Sequence, residues 1–247
     1  GAVVFHARET AAAFFDTEPE QIVFTQNCTH ALNLAIQGSL RRGDHVIISS
    51  LEHNSVARPV AALAELGIIT YSIAAVDADD EITVCNFRQC IRSNTRAVIC
   101  TLVSNVTGQI LPHRCIAALC RQNGLLFIAD GAQACGVIPV SMADGISILC
   151  TAGHKGLYGT MGTGMLISDG STVPEPLMQG GTGSLSNSLQ MPDFLPDALD
   201  SIDERAQLVQ DVEFPGGQID VLALYRAGTL VGIQQHIVHF QTVAVSD

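Results

Sequence analysis

Apolar residues follow two alternating rhythms along this chain. Short, almost unbroken apolar runs at residues 21–24, 45–49, 68–74, 97–103, 125–129, 146–150 and 164–167 have the length and β-branched content of strands. Between them, apolar positions recur at helical spacing, as at Ala7, Ala11, Phe14 and Phe15. That spacing predicts helices over 6–15, 29–36 and 56–66, a short one ending at 91, and one from Pro112 to about 122. Pro19, Gly38 and Gly67 separate the segments. Alternating strands and helices predict an α/β protein: a three-layer, doubly wound, mainly parallel sheet with helices on both faces. From about Thr172 the pattern weakens. Residues 200–213 are acidic and polar, Gly216-Gly217 is a further break, and a helix is expected over 227–240.

Composition agrees with that core. Apolar residues make up 47% of the 247, aromatics only 5%, so Ala, Val, Ile and Leu must fill the interior. A net charge of −12 with no basic patch argues against nucleic acid and anionic membrane as partners. No apolar run approaches the roughly 18 residues of a membrane span. The first residues do not read as a signal peptide but as the middle of a helix. The eight cysteines form no CxxC pair, and Cys100, Cys135 and Cys150 at least read as buried small hydrophobes in a reducing, cytoplasmic setting. His236 and His239 read as ordinary helix residues, and no metal site is expected.

In a doubly wound sheet, ligands gather at the carboxyl ends of strands. Thr29, His53, Asn105, Asp130 and Lys155 all fall there in the predicted order. Lys155, the sole lysine, follows a strand in Gly153-His154-Lys155 and enters a glycine-rich turn. Asp130 closes another strand 25 residues upstream. A lysine amine and a carboxylate so placed suit pyridoxal 5′-phosphate (PLP): one forms a Schiff base, the other pairs with the pyridinium nitrogen. Thr29 stands at a helix start, where free N–H groups and the helix dipole favour phosphate. Plainer readings stand beside these. Thr29 could be an N-cap, His53 a core histidine, Asn105 a turn residue and Gln133 a cap, and Asp130 and Lys155 could form a structural ion pair. P-loop and strand-linked dinucleotide motifs are absent from the sequence.

The ordered segments Thr25 to Asn33, Gly43-Asp44-His45-Val46, Glu52-His53-Asn54-Ser55-Val56, Ser104-Asn105-Val106-Thr107-Gly108, Asp130-Gly131-Ala132-Gln133, Gly153-His154-Lys155-Gly156-Leu157-Tyr158-Gly159 and Gln179-Gly180-Gly181-Thr182-Gly183 carry a resemblance. The chain resembles the large domain of fold-type I, class V PLP enzymes, within them the cysteine desulfurase and selenocysteine lyase-like group. The resemblance spans about residues 6–198. It implies Lys155 as Schiff-base lysine and proton shuttle, with Asp130 on the ring nitrogen and Gln133 on the ring phenolate oxygen. His53 would stack on the ring and act in proton transfer. Thr29 and His154 would hold the phosphate, and Asn105 would face the substrate carboxylate or the phenolate. Thr182 would reach a neighbouring subunit's phosphate, which implies a homodimer. The implied reaction is C–S or C–Se cleavage of L-cysteine or selenocysteine, with transfer of sulfur and possible use of a sulfur-acceptor protein. Aminotransferase or β-lyase chemistry, or a non-catalytic module of the same fold, are the alternatives.

Three departures qualify the expectation. Ala152 stands where the family has Ser or Thr, removing a phosphate contact worth about 1.5–3 kcal/mol. Residues 199–226 diverge from the family pattern. The family's small C-terminal domain, with its nucleophilic cysteine loop and its carboxylate-binding arginine, has no counterpart among these residues. The expected organisation is a PLP-binding core over 1–198, a divergent segment over 199–226, and a helix and tail over 227–247.

Overall fold

The computed structural model describes residues 2–181, 184, 185 and 187–199. Among these residues five α-helices and seven strands alternate as far as β5, after which two strands follow without an α-helix: α1 (Ala2–Phe15), β1 (Ile22–Thr25), α2 (Cys28–Ser39), β2 (His45–Ser49), α3 (Asn54–Glu65), β3 (Thr70–Ala74), α4 (Asp80–Gln89), β4 (Thr95–Thr101), α5 (His113–Asn123), β5 (Leu126–Asp130), β6 (Ile148–Ala152) and β7 (Gly164–Ser168). The expectations for Thr182, for 227–247 and, beyond Leu199, for the divergent segment lie outside the described residues.

One sheet holds all seven strands in the order β1-β7-β6-β5-β4-β2-β3. Strands β3, β2, β4, β5 and β6 run parallel. Strand β7 is antiparallel to both β6 and β1. Successive residues of a strand point to opposite faces, and the buried apolar residues divide accordingly. Ile47, Val98, Cys100, Phe127, Ala129 and Leu149 pack with Phe15 of α1, Phe87 of α4 and Ile116 of α5. Val46, Ile48, Ala97, Ile99, Ile128 and Ile148 pack with Leu32 and Ile36 of α2 and Val56 and Val60 of α3. Helices α1, α4 and α5 thus cover one face and α2 and α3 the other, in the three layers that the sequence pattern predicts. The unbroken apolar runs of β2 and β6 are buried along their whole length, as strands covered on both faces require.

Local chemistry sets the helix ends. Asn27 Oδ1 accepts the His30 N–H at 2.8 Å and caps α2, so the cap is Asn27 rather than Thr29. Gly38 does not stop α2 as its sequence suggests. The helix runs on to Ser39, because Gly38 lies against residues 174 and 175, where an added Cβ would sit 2.5 Å from the Glu175 carbonyl oxygen. His53 caps α3, three residues before the periodic apolar positions begin at Val56. Asp79 Oδ1 caps α4 by accepting the Glu81 and Ile82 N–H groups, and α5 ends on Gly124 in the left-handed region, φ 65°. Strand β4 ends at Thr101, earlier than its apolar run. The chain then folds into a small hairpin in which Val103 pairs with Ile110.

Candidate active site

The sheet's topology makes a crevice. Helix α2 leaves β1 at one edge and packs across β7, β6 and β5 before the chain enters β2, with four strands between β1 and β2 in the order. At such a reversal the carboxyl ends of the strands open outward. There a cleft of about 300 Å³ is lined by Thr29, His53, Asn105, Asp130, Gln133, His154 and Lys155, together with Asn27, Cys28, Ser55, Thr101, Ala132 and Ala152. Seven of the eight residues singled out in the sequence therefore meet at one place, and Thr182 is the eighth.

They are delivered by several separate segments of the chain. Asp130 ends β5 and is only 3% exposed. Its Oδ1 accepts the Ala132 N–H at 2.9 Å and the Cys28 thiol at 3.4 Å. Among the described residues no hydrogen bond reaches Oδ2. A buried carboxylate with one oxygen pinned and the other unengaged calls for an N–H donor in the cleft. Lys155 is not that partner: no ion pair joins it to Asp130 among the described residues, which removes the structural ion-pair reading. Lys155 is also the sole lysine of the sequence. Gln133 sits in a tight turn, with Ala134 and Cys135 both donating to the Gly131 carbonyl, and no helix follows for it to cap.

The Lys155 turn is held by backbone contact. The Gly159 N–H donates to the Gly153 carbonyl at 2.7 Å and the Tyr158 N–H to that of Lys155 at 2.9 Å. Gly156 lies so close to the Cys135 carbonyl that a Cβ would stand 2.4 Å from its oxygen, and Gly136 (φ 83°) meets the Gly156 backbone in the same way. These glycines fix the lysine's turn against the turn that follows Asp130.

On the opposite wall, Thr29 is the second residue of α2, so its N–H and that of Cys28 have no partner within the helix. Its hydroxyl lies 2.8 Å from Ser55 Oγ, which in turn lies 2.8 Å from His53 Nδ1. The Ser55 N–H also donates to Nδ1, at 3.1 Å. His53 is thus a helix cap at the rim of the cleft rather than a core histidine. Asn105 stands exposed in the hairpin after β4, in a turn held by the Ser104 hydroxyl. Ala152 puts a methyl group, 2% exposed, where a hydroxyl was expected.

Reading the sequence for chemistry overlooks four neighbours. Ser55 has only its place in His53-Asn54-Ser55 to mark it. Thr101 lines the floor beside Asp130, its register partner. Cys28 is a buried thiol that burial first, and then Asp130, Cys150 and Cys135, push well above 9.0. Glu52 Oε1 accepts the Thr101 N–H at 3.0 Å and the Ser49 hydroxyl, while Oε2 is buried without a partner. Burial pushes Glu52 up to about 8. The bonds from Ser49 and Thr101 oppose that rise, and nearby Asp130 adds to it. At neutral pH Glu52 is thus a neutral acid bracing the ends of β2 and β4, and nothing but its placement before His53 signals it.

A family model for class-V aminotransferases matches residues 2–192. The chain is 34% identical over 181 residues to a probable cysteine desulfurase of Methanothermobacter thermautotrophicus, covering 71% of this chain and 44% of that protein. It therefore spans less than half the length of that relative. Among solved structures, a cysteine desulfurase from Thermococcus onnurineus is 27% identical with a TM-score of 0.67, over 94% of this chain and 56% of that one. The cysteine desulfurase CsdA of Escherichia coli superposes with a TM-score of 0.72 over 91% of this chain and 55% of that one, at 22% identity, a likeness of fold. The architecture is that of the large domain of fold-type I PLP enzymes. Taken with the cleft, these matches show that the chain belongs to the class-V aminotransferase family, whose members depend on PLP.

Proposed function

We propose that this chain is the PLP-binding large domain of a cysteine desulfurase-like enzyme, acting on L-cysteine or selenocysteine. The observation that carries the proposal is the convergence of Lys155, Asp130 and the start of α2 on one cleft. The donor set fits the cofactor part by part. The free N–H groups of Cys28 and Thr29, the Thr29 hydroxyl and His154 would take the phosphate. Asp130 Oδ2 would accept the pyridinium N–H, and Gln133 would donate to the ring hydroxyl oxygen. His53 would lie against the ring, and Lys155 would hold the aldehyde carbon. When bound, PLP withdraws electrons from the substrate α-carbon. Asp130 would keep the ring nitrogen protonated and so maintain that withdrawal. The Lys155 amine would take the proton from the substrate α-carbon. Asn105, exposed at the mouth, would face the substrate carboxylate.

The sulfur acceptor must come from elsewhere. Of the eight cysteines, Cys28 alone lines the cleft, and its raised pKa keeps it a thiol, whereas attack on sulfur needs a thiolate. A cysteine loop beyond this segment or an acceptor protein would supply it. The proposal also includes a homodimer, in which Thr182 would reach the partner's phosphate, and a cytoplasmic setting, where eight reduced thiols are at home.

Product analysis after addition of PLP and L-cysteine tests the reading. Alanine with sulfide or persulfide supports it, pyruvate indicates a β-lyase and a keto acid retaining the sulfur an aminotransferase. PLP binding without turnover would reduce the chain to a cofactor-holding module.

A further inference from the structure

We infer that Ser55 is a positioning residue that links the anion seat at the start of α2 to the hydrogen-bonding state of His53. The inference rests on the phosphate-seat reading given above. Its geometry is a continuous chain of three side chains from two helices. Thr29 Oγ1 and Ser55 Oγ are 2.8 Å apart, and Ser55 Oγ and His53 Nδ1 are 2.8 Å apart. Ser55 is only 8% exposed, so water competes little for its hydroxyl.

Counting protons makes the chain directional. A serine hydroxyl has one proton and can donate to one neighbour at a time. The Ser55 N–H faces Nδ1 at 3.1 Å and can only donate, so in the neutral ring Nδ1 accepts and the proton sits on Nε2. With the seat empty, Thr29 donates to Ser55, and the Ser55 hydroxyl joins the Ser55 N–H in donating to Nδ1. An anion on α2 changes the order. Thr29 turns its proton to the anion, and Ser55 turns its own to Thr29. The Ser55 N–H is then the one donor that Ser55 still offers Nδ1. Seating an anion thus takes the hydroxyl donor away from His53 Nδ1, and emptying the seat returns it.

Other charges bear on the same ring. Cys28 of α2, Asp130 of β5, and His154 and Lys155 of the turn after β6 line the cleft with it, and Glu52 precedes it in its own loop. The anion's own field also acts on the ring through space. None of these influences passes through the Ser55 hydroxyl, so a variant lacking only that oxygen separates them from the link.

The experiment uses the full 247-residue chain with 15N-labelled histidine side chains, the His53 signals assigned by His53→Gln. Inorganic phosphate is titrated in while Nδ1 and Nε2 are followed by NMR, and calorimetry reports phosphate binding independently. In the wild type, phosphate moves the Nδ1 signal downfield, as the loss of one of its two donors requires. Ser55→Ala binds phosphate within about threefold of wild type but loses most of the Nδ1 response, and Ser55→Thr restores it. Thr29→Val, held at saturating phosphate, loses it too. A wild-type Nδ1 that stays silent while phosphate binds overturns the link alone, as does an undiminished response in Ser55→Ala. Absence of phosphate binding in the wild type overturns the seat and the link together.

Discussion

Cys28 and Asp130, 102 residues apart in sequence, meet in a 3.4 Å hydrogen bond from thiol to carboxylate Oδ1. The bond joins the first turn of α2 to the end of β5, the two elements proposed to hold opposite ends of the cofactor. A thiol is a weak donor, and the Ala132 N–H holds the same oxygen at 2.9 Å. Cys28→Ala is therefore expected to weaken PLP binding by less than about tenfold, within the 0.5–1.5 kcal/mol of one net hydrogen bond. Asp130→Ala, which removes the proposed pyridinium partner, is expected to weaken it more than tenfold. Absorbance titrations with PLP compare the two, and equal losses would contradict the assigned role of Asp130.

Thiol labelling separates buried from accessible cysteines. Cys85 and Cys115 are exposed, while Cys28, Cys100, Cys120, Cys135 and Cys150 are buried. Burial pushes Cys120 and Cys135 up to about 12, and thiolates do the reacting. An aromatic disulfide reagent should meet two fast thiols in the native protein and eight after unfolding. Mass mapping that finds Cys28 in the fast phase would contradict the packing around Asp130.

Glu52 gives a pH signature. Its folded pKa lies at about 8 against an ordinary 4.5, so the folded state holds a proton that the unfolded state has lost. The contribution is intact below pH 4.5, and stability is lost as pH rises from there through about 8. Glu52→Gln keeps the shape and the carbonyl acceptor but removes the titration. The difference in melting temperature, variant minus wild type, should climb across that interval and level off above it. A flat difference would show that Glu52 is ionised in the folded protein.

The glycine turn offers a structural test. In Gly156→Ala the new Cβ would stand 2.4 Å from the Cys135 carbonyl oxygen, backbone that cannot swing aside as a flexible side chain can. A loss of about 1–3 kcal/mol is expected, read by denaturant unfolding, with weaker attachment of PLP at Lys155. Gly162→Ala is the control, since no atom lies within 4 Å of its added Cβ, though its φ of 83° carries a strain of its own. Attachment unaffected in Gly156→Ala would deny that this turn positions the lysine.

Much of the architecture is legible in the sequence, because seven strands, six of them largely buried, announce themselves as apolar runs between helical spacings. The site is legible for a related reason: Thr29, His53, Asn105, Asp130 and Lys155 fall at strand ends, where doubly wound sheets expose residues. What the sequence conceals depends on tertiary contact. The cap at Asn27 precedes the expected Thr29 by two residues, since the helix start is set by which side chain reaches the His30 N–H. Gly38 looks like a stop and instead packs inside α2 against residues 174 and 175. Strand β7 carries no mark of its antiparallel direction. Glu52 and Ser55 have no assigned role until the fold turns one against Thr101 and the other against Thr29.

Attachment of PLP at Lys155 is the central claim, and the sequence makes it unusually clean to test, since Lys155 is the sole lysine in 247 residues. The full chain, mixed with PLP, reduced with borohydride and weighed intact, should carry one reduced cofactor per chain, mapped to the peptide containing Lys155. Lys155→Ala should carry almost none, the N-terminal amine being the one remaining aliphatic primary amine. An unlabelled wild type, or equal labelling in Lys155→Ala, would contradict the account.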